Sequence, residues 1–398
     1  MMMLHQTVFG SPGKATFSVP VKINAGMDIC WSWSQTPVQF IDNQSDRKNC
    51  FSSFWKGFKS DYSYISSTTY HLMGRIIKNS IIVSIFSLML IALSFEIMSI
   101  QLASGLASQV NSDKNANSLN IQDIPAKKVQ VGDIDIAYKI FGKGNPILLI
   151  SGSGLVMDAW DPIMLRDLSS NNTVIIFDNR GVGNTTAGTK PFSIIQFAND
   201  TSGLLEALKI QKADVLGFSM GSFIAQELTL LHPQKVNKLL LYGASCGGKE
   251  NIPQSPDVVK ILSDLVYNRS QDVGKLLSVT FPQSWIKSHS NNTSIPKSKE
   301  IVSPDTLKQQ FNIVEDWFAT NWGGLCGQLS NISVPTLVIT GTEDIAAPAA
   351  NSLIIAQKIP GAWLVQIKGA GHGLMYQYPE KFSTVLQTFL TITTIPSY

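Results

Sequence analysis

Cysteine is scarce in this sequence, and the patterns through which cysteine usually binds metal or exchanges electrons are missing. The chain has 398 residues and four cysteines, which are Cys30, Cys50, Cys246 and Cys326. They form no CxxC pair and no cluster with histidine at ligand spacing, which argues against a structural zinc site and a thioredoxin-type centre. We therefore expect no metal site, and the sequence indicates no cofactor.

An excess of charge of one sign is lacking as well. Only 15% of the residues are charged, the net charge is +3, and Lys and Arg form no long run, so we expect no nucleic-acid partner. Phosphate-binding motifs are also missing: residues 181–183 are not followed by GKS or GKT and no GxGxxG occurs, so this stretch is better explained as a turn. With 44% hydrophobic residues, the chain is long enough for one large α/β domain and extra segments.

The N-terminal part contains one apolar run. Residues 1–72 show no sustained period and receive no fold assignment. Residues 73–107 begin with a short basic stretch, continue with 13 largely apolar residues at 81–93 and end in small residues, which is the order found in a secretory signal peptide. The apolar run is shorter than the roughly 20 residues that span a bilayer as a helix.

Two interpretations of this segment stay open. Because a signal peptide belongs at an N-terminus, the first is translation from Met73, with residues 1–72 an upstream extension that is not translated. The second is a genuine tail followed by an uncleaved membrane anchor at 79–102. Residues 108–125 are predicted to be a polar linker, and both interpretations predict a folded part that is exported or membrane-anchored, outside the cytoplasm.

From residue 126 onward, an alternating hairpin at 127–138 is followed by short apolar runs that alternate with amphipathic segments. The apolar runs lie at 146–150, 173–177, 213–217, 238–242, 335–340 and 363–367. The helical segments lie at 161–168, 194–208, 220–231, 349–357 and 379–389. Continuous apolar runs are typical of parallel strands that are covered on both faces. The alternation therefore predicts an α/β fold, with a mostly parallel twisted sheet and helices on both faces.

One stretch of about ninety residues, from 243 to 335, breaks this alternation. It contains helical pieces at 257–267 and 304–321 but no strand of the sheet type. Because this length is too great for a simple loop, we expect an inserted helical cap. The predicted core has two parts, residues 126–246 and 334–398. The predicted helical cap, residues 247–333, lies between them in the sequence.

Ser219 lies in a G-x-S-x-G stretch between an apolar run and a helical segment. In this context, residues 217–221 predict a nucleophile elbow, where a strand turns sharply into a helix and exposes the serine at the tip. Gly217 and Gly221 suit such a turn, because side chains two residues before and after the serine would collide as strand and helix close up.

A serine nucleophile needs a base, and the base needs an orienting acid. Of the five histidines, His372 directly follows an apolar run of the predicted sheet. The others are His5, His71, His232 and His289. Two candidate acids, Glu343 and Asp344, follow the preceding apolar run in the same way. Because an α/β sheet gathers its functional groups at the carboxyl ends of the strands, we expect Ser219, His372 and one of these acids to meet there.

An oxyanion intermediate needs a pair of N–H donors. One is expected to be the amide of Met220, immediately after the nucleophile. The other is expected in the loop after the first parallel strand, from Ser153 with Gly154 as the alternative, since the glycines there let the backbone approach a substrate closely.

Three motifs, taken in order, make the chain resemble the α/β-hydrolase superfamily over residues 127–389. They are the family's D-x-R-G-x-G loop, its elbow and its G-x-x-D-x-x-x-P acid loop, at 178–183, 217–221 and 341–348. The last match implies Asp344, rather than Glu343, as the acid. Ser151 stands where many members have the histidine of an HG pair, which leaves the subfamily open. A serine at the elbow, in place of aspartate, speaks against dehalogenases and epoxide hydrolases.

The resemblance implies a serine hydrolase, and we expect esterase-like cleavage of small to medium esters through an acyl-enzyme. The alternatives within the family are an aminopeptidase, a C–C bond hydrolase and a cofactor-free haloperoxidase-like enzyme. An alternative from another class is a non-catalytic protein that binds a small molecule in the same pocket.

Large side chains of the oxyanion loop and the cap have two possible places, the lining of this pocket or the core of the cap. These residues are Met157, Trp160, Trp317 and Trp322. If the chain is exported, Cys246 and Cys326 are candidates for a disulfide, because they flank the two ends of the cap.

Overall fold

The structure is a computed structural model. It describes residues 121–268, 272–289 and 302–392, together with three short strands closer to the N-terminus. These three strands are Val21–Ile23, Met27–Ile29 and Val38–Gln39. The predicted signal or anchor segment, at 73–107 or 79–102, lies outside the described residues. No helix among those that the structure describes is long and apolar enough to cross a membrane.

Eight of the nine described strands of the central sheet lie after residue 126. They are β1 (Lys127–Val131), β2 (Ile134–Gly142), β3 (Asn145–Ile150), β4 (Asn172–Phe177), β5 (Ala213–Phe218), β6 (Val236–Tyr242), β7 (Thr336–Gly341) and β8 (Trp363–Ile367). Their order across the sheet is β1-β2-β4-β3-β5-β6-β7-β8, and Val38–Gln39 pairs with β8. β2 is antiparallel to β1 and β4, and the remaining pairs are parallel. The predicted α/β fold with a mostly parallel sheet is confirmed.

The burial of the central strands explains why their sequences are continuously apolar. Every residue of β5 and β7 is buried, and so are the last four residues of β3, β4 and β6. Side chains of a strand point alternately to the two faces of the sheet, so this burial requires a cover on both faces. Alternating polar residues would leave unpaired polar groups in the core.

The helices of the described residues are α1 (Pro162–Ser169), α2 (Ile194–Ala207), α3 (Met220–Leu231), α4 (Pro256–Tyr267), α5 (Val273–Thr280), α6 (Gln283–Ser288), α7 (Pro304–Phe318), α8 (Ala349–Lys358), α9 (Leu374–Gln377) and α10 (Pro379–Thr391). α1 packs against α10, and α2 packs against α3. Side-chain caps fix several starts: Asp161 accepts a hydrogen bond from the Met164 amide, and Ser193 accepts one from the Gln196 amide. Such caps satisfy N–H groups that have no acceptor within the helix.

Helices α4 to α7 occupy the stretch that breaks the strand and helix alternation. Two of them, α5 and α6, with 8 and 6 residues, are absent from the sequence-based assignment. α7 ends at Phe318 instead of continuing to residue 321, because Ala319 adopts an extended conformation. There the chain turns back toward the core.

A disulfide between Cys246 and Cys326 closes the base of this helical insertion. Their Cα atoms are 5.1 Å apart, and the Leu325 amide donates to the Cys246 carbonyl oxygen at 2.8 Å. The chain segments around the two cysteines also approach each other closely at glycine residues. A Cβ on Gly324 would lie only 2.3 Å from the Gly247 carbonyl oxygen. The pairing named as a candidate from the sequence is therefore present.

Candidate active site

Ser219 lies at the turn between β5 and α3 with φ 53° and ψ −122°. This is left-handed backbone, which costs a residue with a side chain about 1–3 kcal/mol and persists only where the surroundings impose it. The flanking glycines show what imposes it. A Cβ on Gly217 would lie 2.3 Å from the Gly221 carbonyl oxygen, and a Cβ on Gly221 would lie 2.0 Å from the Ile150 carbonyl oxygen. The strand and the helix thus approach as closely as the elbow motif predicts.

His372 and Asp344 form a direct pair at the ends of β8 and β7. The distance from His372 Nδ1 to Asp344 Oδ2 is 2.8 Å, and the two side chains are 13% and 0% exposed. The other carboxyl oxygen of Asp344 accepts a hydrogen bond from the Ala347 amide at 2.8 Å. A carboxylate only accepts, so the proton of the neutral imidazole lies on Nδ1. His372 Nε2 is then left as the acceptor.

Gly243, directly after β6, makes room for the imidazole. Its φ is +60°, and a Cβ there would lie 2.8 Å from His372 Cε1 and 3.1 Å from Nδ1. The His372 ring also lies 5.0 Å, centroid to centroid, from the ring of Phe218, the residue before Ser219. Sequence reasoning did not single out Gly243, although a glycine at the end of a central strand was a usable signal.

The predicted oxyanion donors lie in two places. Met220 is the first residue of α3, and an N–H at that position has no acceptor within the helix. The loop after β3 passes beside the nucleophile, since a Cβ on Gly152 would lie 3.0 Å from Ser219 Cβ. The Gly154 amide donates to Gln310 Oε1 of α7 at 2.8 Å, so it already has an acceptor. Ser153 stays the predicted second donor.

A polar network behind this loop fixes its shape. Asp178 Oδ1 accepts a hydrogen bond from the Met157 amide at 2.7 Å, and Asn179 Nδ2 donates to the Ser151 carbonyl oxygen at 3.1 Å. Both side chains are buried. The D-x-R-G-x-G loop therefore supports the oxyanion loop rather than binding phosphate.

Arg180 of the same motif is buried between two carboxylates. Its guanidinium donates to Asp200 through Nε and Nη2, each at 2.8 Å, and to Asp133 through Nη1 and Nη2 at 3.1 and 2.9 Å. Hydrogen bonds from Arg180 hold the pKa of Asp133 far below its usual range. This network ties the loop after β4 to the turn before β2 and to α2.

The four predicted pocket residues fall into two groups. Met157 and Trp160 are buried in the oxyanion loop, with the Trp160 ring 6.3 Å from the ring of Phe218. Trp317 stacks on Phe223 of α3 at 4.8 Å, and Trp322 packs against Trp317 at 5.2 Å. Trp317 is part of the hydrophobic core at the base of the cap and Trp322 packs against that core, which agrees with the second of the two positions expected from the sequence, and a role of either in a pocket stays a prediction.

The cap touches both loops that frame Ser219. The Gly373 amide, next to His372, donates to the Thr280 carbonyl oxygen at the end of α5 at 2.8 Å, and a Cβ on Gly373 would lie 2.3 Å from the Phe281 ring. On the other side, a Cβ on Gly154 would lie 2.9 Å from Leu307 of α7. Cap position and site geometry are thus coupled through direct contacts.

Comparison with known proteins agrees with this architecture. The family model for the alpha/beta hydrolase fold matches residues 145–379. RutD of Azorhizobium caulinodans is 26% identical over 262 residues, which cover 65% of this chain and 96% of RutD. The pyrrolizixenacetamide deacetylase of Xenorhabdus hominickii is 25% identical over 288 residues, covering 68% and 99% of the two chains.

A solved structure shows the same likeness. The enol-lactonase of Burkholderia xenovorans superposes with a TM-score of 0.56 at 26% identity, over 67% of this chain and 100% of the lactonase. The family match covers more than half of the present chain and contains Ser219, Asp344 and His372. The chain belongs to the alpha/beta hydrolase fold family and is an enzyme of the hydrolase class.

Proposed function

We propose that the chain is a serine hydrolase that cleaves small to medium carboxylic esters through an acyl-enzyme. The observation that carries this proposal is the strained elbow at Ser219 together with the hydrogen-bonded pair of His372 and Asp344, whose imidazole ring lies 5.0 Å from the ring of Phe218, the residue before Ser219. A hydroxyl becomes a useful nucleophile when an adjacent base removes its proton, and the base works best when a third group holds its tautomer.

In the proposed reaction, Ser219 Oγ attacks the ester carbonyl carbon while His372 Nε2 takes the hydroxyl proton. The alcohol leaves with that proton, and an acyl-serine ester remains. Water, deprotonated by His372, then attacks the acyl carbon and releases the acid and free Ser219. Asp344 stabilises the imidazolium without being protonated itself. The Met220 and Ser153 amides are the proposed donors to the oxyanion.

The relatives support acyl chemistry of this kind, because a lactonase and a deacetylase both act at an acyl carbon. The serine at the elbow supports an acyl-enzyme route. Because one relative is named for deacetylation, amides are the substrates to test beside esters.

The first test labels the purified full-length chain with a fluorophosphonate and compares Ser219→Ala, His372→Ala and a surface control, Lys143→Ala, at an exposed residue of the turn between β2 and β3. We expect labelling to disappear in Ser219→Ala and to fall steeply in His372→Ala, because the acyl transfer needs both groups. Turnover of p-nitrophenyl esters of increasing chain length should fall by roughly 10⁴-fold or more in both variants. A folded wild-type chain that neither labels nor cleaves any ester or matched p-nitroanilide would exclude the proposal and favour a binding protein.

We further infer that the hydrolase is exported or held at the outer face of a membrane. The disulfide between Cys246 and Cys326 supports this, since structural disulfides form and persist mainly in oxidising compartments. Protease treatment of intact cells should digest a tagged chain while a cytoplasmic marker stays intact. A chain that fractionates with that marker and is protected from protease would contradict this location.

A further inference from the structure

Tyr242, the last residue of β6, is hydrogen-bonded both to the segment that carries Ser219 and to the segment that carries His372. Its main-chain carbonyl oxygen accepts a hydrogen bond from the Ser219 amide at 2.9 Å. Its hydroxyl donates to the main-chain carbonyl oxygen of His372 and accepts from the Met375 amide at 3.3 Å. A single residue therefore spans the elbow after β5 and the loop after β8.

The Tyr242 ring is held in place on several sides. It stacks on Phe218 with centroids 4.5 Å apart and an interplanar angle of 17°, and it packs against Phe382 of α10 at 4.9 Å. The side chain is 0% exposed. A ring packed in this way stays in one rotamer, so its hydroxyl oxygen has a fixed position relative to the sheet.

The hydroxyl also keeps its proton. Burial raises the pKa of Tyr242 well above its usual value, and the negative charge of Asp344 raises it further. The group therefore stays a donor to the His372 carbonyl oxygen over the pH range in which esterases are assayed. Phenylalanine at this position would keep the packing and would remove only this donor.

We propose that Tyr242 is a positioning residue that sets the distance between Ser219 and the His372 imidazole. This proposal rests on the function proposed above. Without the hydroxyl, the buried carbonyl of His372 and the N–H of Met375 both lose a partner, and the segment that carries the imidazole shifts to find new ones. A displacement of the base by about 1 Å costs roughly 100-fold in rate.

The test compares Tyr242→Phe with Thr201→Val in the full-length chain. Thr201 is the control, because its buried hydroxyl also donates to a main-chain carbonyl, that of Phe197, at 2.7 Å, and its helix α2 carries none of the proposed catalytic groups. We expect Tyr242→Phe to lower kcat by roughly 10- to 100-fold with KM within about twofold. Thr201→Val should change kcat by less than about twofold. Both variants are assayed well below the lower of their melting temperatures.

A second readout is independent of turnover. The proton on His372 Nδ1 gives a downfield NMR signal, identified by its loss in His372→Gln. This signal should move or broaden in Tyr242→Phe and stay in place in Thr201→Val. Equal kcat in Tyr242→Phe and Thr201→Val, or an unmoved signal in Tyr242→Phe, overturns the positioning role. If the wild type cleaves nothing, the proposed function fails on its own, and the NMR comparison still decides whether Tyr242 positions His372.

Discussion

The side-chain oxygen of Gln310, on cap helix α7, lies 2.8 Å from the amide nitrogen of Gly154 in the oxyanion loop. Gln310 is 0% exposed, so this contact is shielded from water. It is a direct bond between the cap and the loop that carries the proposed oxyanion donor Ser153. The orientation of that loop should therefore depend on the presence of this acceptor.

Replacing Gln310 by Met tests this dependence. Methionine has a similar size and cannot accept strongly from the Gly154 amide, so we expect kcat/KM for esters to fall by about three- to tenfold, the equivalent of one net hydrogen bond. The melting temperature should change little, because the Gln310 Nε2 group has no hydrogen-bond partner among the described residues and its removal offsets part of the loss.

Gln387→Met is the control for this substitution. Gln387 is a half-buried glutamine of α10 that donates to the Asp167 carbonyl oxygen of α1 at 3.0 Å, away from the oxyanion loop and the acid loop. Its replacement should leave kcat/KM within about twofold. Equal losses in the two variants would show that the Gln310 contact has no special role in catalysis.

Gly243→Ala should displace the proposed base. A Cβ at this position would lie 2.8 Å from His372 Cε1, and the ring must move to accept it. We expect a fall in kcat of roughly 100-fold and a loss of stability of about 1–2 kcal/mol from the positive φ. Ester kinetics and urea unfolding measure the two effects.

Gly361→Ala is a control that separates the backbone strain of a positive φ from the contact with the His372 ring. Gly361 has φ +70°, and, apart from its chain neighbours, no heavy atom of the part of the chain that the structure describes lies within 4 Å of a Cβ built there. The control should lose similar stability and keep its activity. If Gly243→Ala stays as active as Gly361→Ala, the close packing of His372 on Gly243 does not matter for the reaction.

Local sequence signals were enough to predict much of the fold and to place His372 near Glu343 or Asp344, and the resemblance to the α/β-hydrolase superfamily decided for Asp344. Continuous apolar runs reveal strands buried on both faces, and the ends of those strands locate Ser219, Asp344 and His372 at one edge. The roles of Tyr242 and Gln310 had no such signal. Tyr242 looks like an ordinary strand residue, and Gln310 looks like a polar position of an amphipathic helix. Their partners are 130 and 156 residues away along the chain, and only the packed structure brings them together.

Arg180→Met should destabilise the fold strongly and in a pH-dependent way. Removing the guanidinium leaves buried Asp200 without its positively charged partner and with the Gln196 side-chain amide as a donor, and breaking such a buried pair costs about 3–5 kcal/mol at neutral pH. The pKa of Asp133 is lowered in the folded chain by Arg180. The stability that the ionised Asp133 adds to the folded chain is therefore present at pH values above the ordinary carboxyl range, near pH 4. This stability is lost as the pH falls below that range.

The measurement is urea unfolding of wild type and Arg180→Met at pH 7 and at pH 3.5. The difference in unfolding free energy should shrink at the lower pH. Arg166→Met is the control, because Arg166 pairs with Asp167 at the surface with 39% of its side chain exposed. A surface pair contributes about 0–1 kcal/mol, so a similar loss in both variants would argue against a structural role for the buried network.

Reduction of the Cys246–Cys326 disulfide should loosen the cap before it unfolds the core. The bond closes a segment of 80 residues, and removing such a link typically costs about 2–4 kcal/mol. We expect dithiothreitol to lower the melting temperature of the wild type and to leave that of a Cys246→Ala, Cys326→Ala variant unchanged. Because Thr280 and Gln310 contact the site from the cap, ester kcat/KM should fall on reduction even below the melting transition. Full activity in the reduced protein at 25 °C, with an unchanged melting curve, would show that the contacts of the cap with the core hold it in place without the covalent link.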